Sequence, residues 1–141
     1  MATVISVKAA LATAIETLIS GATRATRSDL RPLDGIAAAG GYLYQIEAQH
    51  QGELQTGNSA TSYKVGAFVV RVKHRLADPF DEAAYTDAAM LTHQSSLLDP
   101  DWWRSLAGVK HIVSGPEIAE DVARNGDNVT YSVACNCAIT P

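Results

Sequence analysis

Cysteine is scarce: the 141 residues include two, Cys135 and Cys137. A chain of this length buries roughly two-thirds of its unfolded surface without help from disulfides or metal. This argues against a disulfide-built secreted scaffold. The CxC run is half of a zinc pattern, and no second cysteine pair completes it. On a strand the two thiols share a face, with α-carbons about 6.5–7 Å apart, at or beyond disulfide reach. The expected role is two small buried apolar side chains. Basic charge is also short. Lys and Arg total 11 against 15 Asp and Glu, a net charge of −4, and the pI is about 5.4. That excludes a chain that grips nucleic acid by its overall charge. Long apolar runs are missing too. The most apolar stretch, 4–19, is interrupted by Lys8 and Glu16 and is too short to span a bilayer comfortably. Its positive charge lies inside the run rather than before it, so a secretory leader is not expected and a cytoplasmic product is.

The motifs of common chemistries are absent as well. There is no GxSxG, no Walker loop and no GxGxxG. The four histidines, His50, His74, His93 and His111, fall on four different expected elements with no HxH or HExxH spacing. His74, between Lys73 and Arg75, reads as a strand surface residue. The acidic group Glu117, Glu120 and Asp121 lacks the alternating oxygen ligands and central glycine of a calcium loop. No catalytic residue, cofactor or metal site is expected, and the chain does not read as an enzyme.

What is present is a succession of well-marked elements. Val4, Val7, Leu11, Ile15, Leu18 and Ile19 recur at spacings of three and four, which predicts an amphipathic helix over 4–20. Thr3 suits its N-cap and Gly21 its stop. Residues 22–41 are irregular, with room for a short strand near 23–27. Arg24, Arg27 and Arg31 fall within eight residues there, a solvated loop charge or a phosphate contact. Residues 42–50 alternate as a half-buried strand, followed by a polar, turn-rich stretch at 52–62 whose one sizeable apolar residue is Leu54. A second strand, 63–76, changes apolar phase between Val65 and Phe68, which predicts a bulge at Gly66–Ala67. At about 3.3 Å per residue it is roughly 46 Å long, so the hairpin 42–76 is expected to project from the body. Arg71, Lys73 and Arg75 line one face of it, as edge protection or as a contact with another subunit or an acidic partner.

Asp78, Pro79, Asp81 and Glu82 open a second helix, 79–98, with Phe80, Ala84, Ala88, Leu91, Ser95 and Leu98 inward. Trp102 and Trp103 follow, one as a core plug and one, Trp102, as an interface anchor. A strand is expected at 109–113. Ser114–Glu117 has the spacing of a capping box and predicts a short helix, 116–123. The last strand alternates from Val129 through Tyr131, Val133, Cys135 and Cys137 to Ile139. The expected fold is α+β: one domain over 1–141, with a mostly antiparallel four-stranded sheet, two amphipathic helices on one face and the projecting hairpin.

This order and size resemble the tail terminator, or tail completion, proteins of long-tailed bacteriophages and phage-like particles. The resemblance rests on the helix 4–20, the irregular stretch 22–41, the hairpin 42–76, the helix 79–98 and the terminal strands 109–139. It implies a structural virion protein: a hexameric ring at the tail–head junction, made in the bacterial host cytoplasm, that caps the tail tube and ends its growth. The implied partners are further copies of the chain, the tail tube protein, a connector or stopper protein, and genomic DNA passing through the lumen without sequence-specific contacts. No membrane is implied. The expected interface residues are Arg24, Arg27, Arg31, Leu54, Arg71, Lys73, Arg75 and Trp102. Two other classes fit the same residues: another head–tail joining component, such as a stopper or adaptor, and a small ligand-binding α+β domain with a cleft near Arg24, Arg27 and His50.

Overall fold

A computed structural model describes residues 2–24, 40–55, 62–76, 91–125 and 128–140. The architecture is α+β. Helix α1 (Val4–Leu18) is followed by strand β1 (Thr23–Arg24), then β2 (Tyr42–Gln55) and β3 (Ser62–Arg75). Helices α2 (Leu91–Leu97) and α3 (Pro100–Arg104) lead to β4 (Val109–Asn125) and β5 (Asn128–Ile139). Among the described residues the sheet has five strands in the order β1-β2-β3-β5-β4. The expected four-stranded sheet thus gains β1, which runs parallel to β2, so the sheet is mixed.

The core follows from the alternation along the strands. Tyr44 and Ile46 of β2, Phe68, Val70 and Val72 of β3, and Tyr131, Val133, Cys135 and Cys137 of β5 are all buried in one cluster. Register stacks them in rows across the sheet, such as Ile46–Val70–Val133 and Tyr44–Val72–Tyr131. Helix α1 lays Val7, Leu11 and Ile15 on the same cluster, joined by Leu97 of α2 and Trp103 of α3. All three described helices therefore pack on one face. Each large apolar side chain removed from water there contributes about 1.5–3 kcal/mol. A reciprocal cap holds the start of α1: Ser6 N–H donates to Thr3 Oγ1 (3.1 Å) and Thr3 N–H to Ser6 Oγ (2.8 Å). The chain turns away after the helix at Gly21, whose φ of +80° suits glycine.

Four expectations need correction. The bulge lies on the other strand: β3 pairs with β5 from Lys64 to Arg75 with no break, and the register shift falls in β2 between His50 and Gly52. Even-numbered residues of β3 face the core from Phe68 to Leu76, and the phase change read from Tyr63 and Val65 is burial of Val65 on the opposite face. The hairpin, secondly, is not free along its length. β3 is the central strand, and β2–β3 outruns β5 only at the tip, where Leu54 pairs with Tyr63 and Gln55 with Ser62. Thirdly, 116–123 is strand, not helix. β4 continues through it, pairing Ile118 with Val133 and Glu120 with Ser132. Glu and Ala favour a helix locally, but pairing with β5 overrides that preference. Fourthly, α2 is rotated from its expected phase: Gln94 and Leu97 are buried while Leu91 is exposed. The part of the expected helix at 79–90 lies outside the described residues.

Candidate functional site

The sheet face away from the helices carries the polar chemistry. Arg71, on the central strand, reaches both ways across it. Its Nη2 lies 2.9 Å from Glu47 Oε2 on β2 and its Nε 3.7 Å from Glu120 Oε1 on β4. Between them, Ser132 Oγ on β5 donates to Glu120 Oε1 at 3.2 Å. Register explains the geometry, since Arg71 pairs with Ser132 and Ser132 with Glu120. Arg71 and Glu47 are about three-quarters covered, at 23% and 22% exposure. Their attraction is screened less than that of a surface pair. Arg71 therefore links β3 to β2 and β4 of its own subunit, and Ser132 brings β5 into the same network through Glu120. Edge protection is excluded as its role, because β3 is not an edge. Lys73 and Arg75 share its face and are half-buried.

The other expected interface residues are scattered. Arg24 is exposed on β1, at the edge of the sheet. Arg27 and Arg31 lie outside the described residues. Leu54 sits in β2 rather than in a loop, and its side chain is outside the described part. Trp102 is half-buried and meets Trp103 edge-on at 5.5 Å between ring centroids. Trp103 is the core plug: it is fully buried and its Nε1 donates to the Leu97 carbonyl at 2.6 Å. Of the cleft expected near Arg24, Arg27 and His50, Arg27 lies outside the described residues, and Arg24 and His50 are not neighbours. Arg24 pairs beside Tyr44, six residues along β2 from His50, or about 20 Å.

Sequence reasoning missed two features. One is a ring cluster at the start of β2. Tyr42 stacks on His74 at 4.1 Å and meets His93 edge-on at 5.4 Å. His74, taken for a surface residue, is buried and its Nδ1 lies 3.0 Å from the Gly41 carbonyl. A carbonyl oxygen only accepts, so Nδ1 carries a proton in that contact. Burial lowers the His74 pKa below its ordinary value, opposed by the Gly41 carbonyl and helped by the nearby His93. Burial lowers His93 as well. The even-numbered alternation of β3 was the signal for His74, which continues the buried series Phe68, Val70, Val72. The cysteines behave as expected. Both are buried and unbridged, with Sγ atoms 3.8 Å apart, and Cys135 is pushed up by its hydrogen bond to Cys137 and by burial.

The other missed feature is the outer strand. From Val113 to Asp121 β4 is exposed except for half-buried Pro116. Val113 and Ile118, at 42% and 44% exposure, are two of the largest apolar groups left in water. Glu117 and Asp121 stand beside them with no ion pair among the described residues. No described helix is long and apolar enough to cross a membrane, and no group of His, Cys, Asp or Glu among the described residues is arranged to hold a metal ion. No protein-family model matches the chain, and no curated protein matches it in sequence.

Proposed function

We propose that the chain is a tail terminator: a structural protein whose copies form a ring, expected to be a hexamer, that caps a phage-type tail tube and joins it to the head. The observation that carries this reading is the element succession on which the resemblance rests. The helix Val4–Leu18, the long hairpin Tyr42–Arg75, the second helical region and the terminal strand ending at Ile139 occur in that order around one sheet. The exposed outer strand, with apolar side chains and with carboxylates that form no ion pair among the described residues, suits a subunit that is buried against neighbours when assembled. In this role the tube protein and a connector or stopper bind the two ring faces, and DNA passes through the lumen. The virion's tail–head junction is the corresponding location.

The test is deletion of the gene in a phage that carries it. The expected result is DNA-filled heads beside unjoined, overlong tails, restored by the chain supplied in trans. Normal tails of normal length would overturn the reading. Tails of correct length that still fail to join would instead favour the stopper or adaptor class.

A further inference from the structure

β4 is an outer strand of the sheet, and its register on β5 is symmetric about one point. Measured from Cys135 of β5, Ser114 and Glu117 pair one residue to either side, with Asn136 and Ala134. Ile112 and Ile118 pair two residues to either side, with Cys137 and Val133. His111 and Glu120 pair three residues to either side, with Ala138 and Ser132. Lys110 and Asp121 lie just beyond, each at an irregular step of the register. Gly115 and Pro116 occupy the centre.

Laid antiparallel against a copy of itself, such a strand exchanges the two sides of its centre. Ile112 then meets Ile118 of the copy, with Val113 beside it, and Lys110 meets Asp121. Val113 and Ile118 are 42% and 44% exposed, so the contact covers apolar surface that a lone subunit leaves in water. Lys110 and Asp121 are exposed and form no ion pair among the described residues. Arg124, the other exposed Lys or Arg of β4, is already engaged within its own chain. Five register shifts, and Pro116 with no N–H to donate, make this edge a poor template for a regular strand. A second copy is the exception, because it brings the same irregularities in reverse order.

We propose that two copies of the chain pair through their β4 edges about a two-fold axis at Gly115–Pro116, with Ile118 against Ile112 and Lys110 against Asp121. A two-fold contact is isologous and cannot close a ring of six. The inference therefore goes beyond the ring reading and stands separately from it: the contact pairs free subunits, or one ring with another. A single edge strand covers little area, so the contact is weak and concentration-dependent. It also carries a cost at its centre. The two copies of Glu117 lie diagonally across the axis, about 7–8 Å apart in an antiparallel pair.

Sedimentation equilibrium of the full chain over a dilution series reads the pairing, with circular dichroism to verify folding. Where rings form, the ratio of double to single rings reads it instead. Lys110→Glu and Asp121→Lys should each weaken pairing about tenfold, because each sets like charges together twice. The double variant should recover most of that loss, because the pair is inverted rather than removed. Ile118→Asp should weaken pairing as well, while Glu117→Gln should tighten it by relieving the repulsion at the axis. Glu16→Lys, on the exposed side of α1, should pair as wild type. Folded single variants that pair as wild type, or a double variant no stronger than the singles, would overturn the proposal. Single rings that never pair would overturn it and leave the ring reading standing. Dimers that respond to the variants as expected and go no further would support it and contradict the ring reading, and a chain monomeric at every concentration would overturn both.

Discussion

Strand β5 has two neighbours, and it pairs with them differently. Against β3 it runs from Lys64–Ile139 to Arg75–Asn128 without a break. Against β4 it meets 17 residues with 12 and the register shifts five times. The difference follows from burial. On β3 the core face is closed by helices, and the other face is tied by Arg71 to Glu47 and Glu120. Sliding by one residue would move every one of those side chains to the wrong face. On β4 most side chains from Val113 onward stand in water, so an extra residue displaces little. One side of β5 is held by packing, while the other is free to carry a surface.

The largest effect should come from breaking this contrast directly. One alanine inserted after Val70 in β3 should abolish cooperative folding. The same insertion after Ala119 in β4 should cost about 1 kcal/mol or less, as an exposed site permits. Denaturant melts of both would decide, and equal losses would contradict the comparison. Next in size, Phe68→Ala should cost about 3–5 kcal/mol through the cavity it leaves. Ile118→Ala should cost under about 1 kcal/mol in the isolated subunit. Arg71→Glu should cost about 2 kcal/mol, because it leaves Glu47 largely buried beside a like charge. Adding Glu47→Arg should recover much of that loss, and a full loss retained in the double variant would remove the pair from the account.

The smallest effect is with pH. His74 and His93 have folded pKa values below the ordinary 6.5, so the unfolded chain takes up protons first as the pH falls. Their stabilising contribution is therefore complete above about pH 6.5 and declines below it. The melting temperature should fall between pH 7 and pH 5. His93→Gln should flatten that slope, and an unchanged slope in this variant would assign it elsewhere.

Much of the fold was legible because period carries it. The 3.6-residue stripe of α1 and the two-residue alternation of β5 each mark one buried face, and each side chain expected inward from Val129 to Ile139 is buried. What was not legible depends on neighbours. Glu117 to Asp121 has helical composition, and only pairing with β5 makes it strand. β1 has two residues and no period of its own. The bulge was assigned to the wrong strand, because a phase shift in one strand looks the same as burial on its far face. The candidate surface was the least legible part. Arg71 was read from its strand as an outward contact, yet its partners lie on β2 and β4, and the expected hairpin placed only β2 beside it. The acidic group at 117–121 was placed on an expected short helix, and its position at a sheet edge needed the strand order.

The central claim is that copies of this chain close into a ring, and electron microscopy of the purified wild-type protein tests it most directly. The account predicts class averages of a closed ring of six 14.9 kDa subunits. Particles that stay monomeric at every concentration, or that pair two-fold and stop at dimers, would contradict it.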